Sequence, residues 1–160
     1  MHIEARLAAL GLTLPPPLVV SAHVRLPFAF VRLCGNRAYI SGHGPVGSDG
    51  RVARPLGKVG ADLTAEQAYA AARLTTLAIL GSLERTLGDL DRVTSWLRIF
   101  GMVNAAPGFS DLPTVINGCS DLLIELYGPE RGAHARSAVG LAELPFNIPV
   151  EIEGEVEIAI

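Results

Sequence analysis

Two residues near the C-terminus have the types and spacing to handle a small carboxylate-bearing molecule. Arg136 lies in His134-Ala135-Arg136-Ser137-Ala138-Val139-Gly140, and Glu151 opens Val150-Glu151-Ile152-Glu153, fifteen positions later. A guanidinium can grip a carboxylate through two parallel hydrogen bonds. A carboxylate beside it can position or deprotonate a water. The segment between them holds one turn signal, Leu144-Pro145-Phe146-Asn147-Ile148-Pro149. Pairing of the flanking runs as an antiparallel hairpin about that turn would place Arg136 opposite Glu151, with Cβ atoms roughly 5 Å apart. The competing reading is an ion pair within a sheet. A buried pair serving stability alone is often replaceable by apolar residues, so its retention needs a reason.

Other chemistry-bearing patterns are weaker. Gly42-His43-Gly44-Pro45-Val46-Gly47 formally matches G-x-G-x-x-G. A dinucleotide fingerprint needs a helix to open at those glycines, whereas Pro45 and a Ser48-Asp49-Gly50 turn intervene here. Ser41 is outside any G-x-S-x-G elbow, so a turn or cleft-lining hydroxyl is the expected role. The four histidines, His2, His23, His43 and His134, lack metal-ligand spacing and there is no Cys-x-x-Cys, so no metal is expected. Cys34 and Cys119 fall in apolar runs and are expected to be reduced and buried. Trp96 reads as core packing, and Asn104 and Asn117 as either cleft or turn residues.

The elements that must position these groups follow from periodicity and punctuation. Ile3–Leu10 reads as a short amphipathic helix ended by Gly11, and Pro15-Pro16-Pro17 as an extended connector. Phe28–Cys34 and Arg37–Ser41 form a hairpin about Gly35-Asn36. Gly42–Asp62 is mostly loop. Thr64-Ala65-Glu66-Gln67 is a capping box that opens a helix running to Gly88. Arg92–Val103 is a long strand candidate. Asp111–Tyr127 is a second long helix, capped by Ser110 or Asp111 and stopped at Gly128-Pro129. In the last strand Val150, Ile152, Val156, Ile158 and Ile160 alternate with Glu151, Glu153, Glu155 and Glu157. The order ββ-α-β-α-ββ predicts an α+β two-layer sandwich with both long helices on one face of the sheet. Strands that are apolar on both sides need a cover on the other face, and a second subunit is the simplest.

Composition narrows the class. At 160 residues a single principal domain is expected, divided here into an N-terminal helix and Pro-rich connector (1–24) and a domain over 25–160. Hydrophobic content of 49% against 18% charged residues excludes a disordered chain and hints at surface hidden in an oligomer. A net charge of -3, with twelve scattered Arg and Lys58 as the only Lys, argues against a nucleic-acid partner. No run of apolar residues is long enough to span a membrane and no signal peptide is evident, so a cytoplasmic location is expected.

Taken together, Tyr39-Ile40-Ser41-Gly42, the mid-chain helix, Arg136-Ser137, Leu144-Pro145 and Val150-Glu151-Ile152-Glu153 resemble the RidA family, also called YjgF or L-PSP. The resemblance covers about residues 25–158. It implies a chorismate-mutase-like fold with a mixed sheet, a homotrimer and clefts between subunits. It also implies hydrolysis of reactive 2-imino acids to 2-oxo acids and ammonia without metal or organic cofactor. Arg136 would then hold the substrate carboxylate and Glu151 orient the attacking water, with Ser41, Gly42, His43 and Ala138 lining the substrate. Ala138 stands where active members often have Cys, and His43 where Gln is common. The N-terminal helix, the triple-Pro connector and Gly57–Asp62 look like features of a longer subgroup. The alternatives are a non-enzymatic binder of 2-oxo acids, a ribonuclease (as the older family name suggests) and a chaperone-like role.

Overall fold

The longest helix, α2 (Ala65–Leu87), shows how local signals shape this chain. The Thr64 hydroxyl accepts from the Gln67 backbone N–H, and the Gln67 side chain accepts from the Thr64 N–H. At the other end Gly88 turns left-handed at φ 78°, and its N–H closes on the Glu84 carbonyl. The computed structural model that supplies these details describes residues 2–160. The remaining elements are helix α1 (Ile3–Ala9), strands β1 (Val31–Cys34), β2 (Arg37–His43) and β3 (Val93–Asn104), helix α3 (Leu112–Arg131), and strands β4 (Ala135–Leu141) and β5 (Val150–Ile158). The expected helices and strands are all present. Gly128 breaks α3 as anticipated, at φ 80°, but a further turn follows it to Arg131.

The five strands form one mixed sheet in the order β1-β2-β5-β3-β4. β3 pairs with β4 in parallel, so α3 is the crossover between them. The other pairings are antiparallel. This arrangement overturns one expectation: β4 and β5 are not a hairpin, because β3 lies between them. The Leu144–Pro149 turn is bound to the end of β3, where the Asn104 side chain donates to Asn147 and to the Ile148 carbonyl and the Asn104 N–H donates to the Pro149 carbonyl. The turn therefore steps over β3 instead of folding back on β4. The twelve-residue β3 satisfies both of its edges in this way.

Both long helices cover one face of the sheet. Ala38, Ile40, Trp96, Ile99, Val103, Ile152 and Val156 point into the main core beneath them. Small residues let the layers close: a side chain at Gly101 would collide with Ile116 of α3, and one at Gly118 with the Tyr69 carbonyl of α2. Leu80, Leu83, Leu122 and Leu123 are wholly buried between helices and sheet. Truncating any of them to Ala costs about 2–5 kcal/mol. α1 joins the same core through Ile3 and Leu7, and Asp91 accepts from the Ile3 N–H.

The other face carries the alternating carboxylates. Glu155 pairs with Arg37 at 2.7 Å, and Glu157 accepts from Asn36 and Thr94. A smaller apolar cluster of Met102, Leu144 and Ile148 sits at one end of this face, with Phe100 and Val139 against it. Cys119 is buried as expected, but Cys34 is exposed, because it ends the short edge strand β1, beyond the reach of the helices. No described helix is long and apolar enough to cross a membrane.

Candidate functional site

Glu151 and Gly42 meet on adjacent strands. A Cβ placed on Gly42 would lie 2.7 Å from Glu151 Oε1, so only glycine lets the carboxyl rest against this stretch of β2. Glu151 opens onto a cleft of ≈ 230 Å³ whose walls include Leu26, Phe28, Phe30, Val52 and Phe146. Among the described residues Glu151 has no hydrogen-bond or ion-pair partner. Burial, and then the neighbouring Glu153 charge, raises its pKa above the usual carboxylate value. A carboxyl in an apolar cleft, poised to take and return a proton, suits general acid–base chemistry.

Three of the residues expected to line the substrate belong to this region with different roles. The Ser41 hydroxyl donates to the Ala29 carbonyl at 2.7 Å, tying the chain entering β1 to β2. Gly42 makes room for Glu151. His43 lines the cleft, but its ring is buried on the helix side of the sheet, 5.0 Å from the Phe30 ring. Its Nδ1 lies 2.6 Å from the Ser41 carbonyl and its Nε2 2.9 Å from Ser82 Oγ. A carbonyl only accepts, so Nδ1 carries the proton and Nε2 accepts from the serine hydroxyl. Burial and the nearby Arg85 charge push the imidazole down to about 4, and it stays neutral at physiological pH.

Arg136 and Ala138 lie elsewhere. Arg136 is in register with Ile99, and Glu151 with Met102, three residues further along β3 and on the opposite face. Two strand spacings and three residues of rise put the two backbones about 14 Å apart. The expectation that Arg136 and Glu151 face each other within one chain is therefore wrong. Arg136 points to the helix side, where its Nη1 donates to Asn117 Oδ1 at 2.7 Å and to Ser120 Oγ at 3.1 Å. Its other three N–H donors make no hydrogen bond among the described residues. Ser120 in turn bonds His134 Nε2, whose Nδ1 reaches the Gly132 carbonyl. Ala138 follows on the same face of the edge strand, packed on the main core.

Sequence reasoning missed Ser82, Arg85, Ser120 and His134 as parts of these networks. Only the Ser82/Arg85 spacing carried a local signal, since i and i+3 share a helix face. It also left Lys58 without a role. The Lys58 ammonium donates to Asn104 Oδ1 and to the Ala142 carbonyl and lies 3.4 Å from Glu143. It thereby clasps the Gly57–Asp62 loop to the β4–β5 connection.

Comparison with known proteins agrees with this architecture. Residues 4–151 match a family described as "YjgF/chorismate_mutase-like, putative endoribonuclease". The chain is 35% identical to Protein TCP17 of Trypanosoma cruzi, over 98% of this chain and 94% of that protein. Among solved structures, Atu1372 of Agrobacterium tumefaciens, a protein of unknown function, superposes with a TM-score of 0.85 at 39% identity. That match covers 98% of this chain and 94% of the other. A protein of Shewanella oneidensis, described as a "putative endoribonuclease", gives 0.87 at 30% identity, with 99% and 100% covered. Coverage this complete takes in the N-terminal helix and connector as well.

Proposed function

Starting from the fact that this chain belongs to the YjgF/chorismate-mutase-like family, we propose that it hydrolyses reactive 2-imino acids to 2-oxo acids and ammonia, in clefts shared between the subunits of a homotrimer. The observation that carries this reading is Glu151, a partnerless carboxyl of raised pKa in an apolar cleft. Its complement is Arg136 on edge strand β4, with three N–H donors to spare. Since β3 keeps the two apart within a chain, a working site takes Arg136 from one copy and Glu151 from its neighbour. The partly apolar face bearing Phe100, Met102 and the 44%-exposed Tyr39 gives such copies a surface to share.

In this mechanism Arg136 grips the substrate carboxylate. Backbone N–H groups near Gly42 or Ala138 supplement that grip. Glu151 takes a proton from water as the oxygen bonds to the imine carbon. That proton goes to the nitrogen, giving a carbinolamine; Glu151 then moves the carbinolamine hydroxyl proton to the nitrogen as the C–N bond breaks and the C=O bond forms, and ammonia and the 2-oxo acid leave. An imine is already a good electrophile, so positioning and proton transfer suffice. The reaction uses water alone as co-reactant.

The test is an amino-acid oxidase generating 2-imino acids in situ, with release of 2-oxo acid and ammonia followed. Wild type accelerates release, while Arg136→Ala and Glu151→Gln do not. Unfolding both inactive variants together and refolding them into mixed oligomers restores part of the activity, because some clefts then receive one intact residue from each copy. Mixed oligomers that stay inactive would sink the shared cleft. Saturable binding of pyruvate without imine turnover would move the reading to a metabolite-binding protein. The cleft has one carboxyl, one neutral buried imidazole and no basic stripe, which gives a ribonuclease reading little support.

A further inference from the structure

A second cavity lies behind the first and is not used by the proposed reaction. It is ≈ 300 Å³ in volume and sits between the triple-Pro connector, the start of β1 and the C-terminal half of α2. Leu18, Phe30, His43 and Val46 line both spaces. Its remaining walls are mainly apolar, with Pro16, Val31 and Ala78 among them, and no acidic side chain lines it.

One cation stands at its mouth. Arg85 donates through Nη1 to the Pro15 carbonyl at 3.3 Å and through Nη2 to Ser82 Oγ at 3.1 Å. Both acceptors are neutral. Among the described residues no carboxylate pairs with Arg85, and three of its five N–H donors make no hydrogen bond. The Ser82 hydroxyl proton is committed to His43, as its geometry requires, and Thr86 donates its own to the Ser82 carbonyl. Among the described residues Arg85 is thus the side chain lining the cavity that keeps N–H donors to spare. The helix makes a concession to hold it there. Gly81 occupies the interior of α2, where glycine is less favourable than alanine. A Cβ at that position would lie 3.1 Å from Arg85 Nη1 and 3.2 Å from the Pro15 carbonyl. The missing side chain leaves the connector and the guanidinium room to approach each other without displacement.

We propose that this cavity is a binding site for a small monocarboxylate with an apolar body, its carboxylate held by Arg85 and its body lying against the connector and Phe30. An anion completes the guanidinium's charge in a lining with no acid, and an apolar body gains from leaving water against the proline and phenylalanine walls. A neutral ligand of the same shape forgoes the charge-assisted hydrogen bonds. Neither Arg136 nor Glu151 lines this site, although it shares walls with the Glu151 cleft.

Calorimetric titration with benzoate, phenylacetate and valerate tests the idea, with benzamide as the neutral counterpart of benzoate. Benzoate or one of the other two acids saturates at one site per chain, and benzamide binds at least about tenfold more weakly. Arg85→Gln, at an exposed position with melting checked against wild type, weakens the carboxylate about tenfold or more. Absence of saturation by all three acids overturns the proposal. So does equal affinity of wild type and Arg85→Gln. Binding lost in Arg136→Ala yet kept in Arg85→Gln would place the ligand in the reaction cleft and overturn it equally, leaving the hydrolase reading untouched.

Discussion

Two regions of this molecule repeat one hydrogen-bonded chain. Around α2, Arg85 donates to Ser82, Ser82 to His43 Nε2, and His43 Nδ1 to the carbonyl of Ser41. Around α3, Arg136 donates to Ser120, Ser120 to His134 Nε2, and His134 Nδ1 to the carbonyl of Gly132. In each the accepting carbonyl lies two residues before the histidine. The surroundings differ. His43 is 5% exposed beneath the sheet, whereas His134 is half-buried just ahead of the edge strand. The first chain closes on the cavity beside the triple-Pro connector, and the second leaves its arginine on the edge strand at the sheet's rim. Both chains lie on the helix side of the sheet, so what separates them is burial beneath α2 against a place at the edge strand.

The largest test of this contrast is catalytic. Arg136→Ala lowers imine turnover by at least about 100-fold, the scale of a lost positioning and charge-assisted contact. A larger loss from Arg85→Gln would exchange the roles of the two arginines. Next comes pH. His43 titrates at about 4 in the folded chain and near 6.5 when unfolded. The unfolded chain thus binds the extra proton between those values, and stability falls as pH drops from 6.5 to 4 by on the order of 3 kcal/mol. His134, lowered by burial and by Arg136, adds a loss of the same sign. Urea unfolding at pH 7 and pH 4.5 should show a shallower difference in His43→Gln than in His134→Gln. The reverse ranking would mean that His43 is not the more deeply buried of the two imidazoles.

Smaller effects separate the serines. Ser82→Ala leaves a buried imidazole nitrogen without its donor and costs about 1–3 kcal/mol. Ser120→Ala costs about 0.5–1 kcal/mol, since water can reach a half-buried His134. Equal costs in denaturant melts would erase the difference in burial on which the comparison rests. Glu151 carries the opposite sign from His43: its raised pKa means the ionised form is disfavoured by folding, so the associated stability is lost as pH rises through that value. Glu151→Gln should be the more stable protein at pH 7 while remaining inactive, and a destabilised variant would contradict the burial assigned to this carboxyl.

Much of the fold is legible in the sequence alone. The Thr64 capping box, the Gly88 stop, the Gly35-Asn36 turn and the alternation of β5 all depend on groups within a few residues of one another. The pairing of Ser82 with Arg85, one turn apart on α2, is equally local but was not read from the sequence. The site was legible only in part. Glu151 and Gly42 meet on adjacent strands, but Arg136 lies on another strand and the opposite face, because the expected hairpin joined the wrong strands. Local sequence specifies that a segment is extended and which side chains alternate; it does not specify the neighbour. That choice fell to β3, which wedges between β4 and β5 because Asn104 binds the connecting turn and α3 must return in parallel.

By itself, then, the sequence of this protein determined its helices and most of its strands to within a few residues, the alternation along β5 as far as Ile158, and the family to which it belongs. Only the tertiary structure decided that Arg136 and Glu151 stand on opposite faces of the sheet, that His43 is sealed against Ser82, and that Lys58 clasps the β4–β5 connection. The reason is range. Caps, turns and alternation are satisfied by hydrogen bonds and burial within a few residues, while strand order and the environment of a charge arise from groups tens of residues apart that meet only when the core closes.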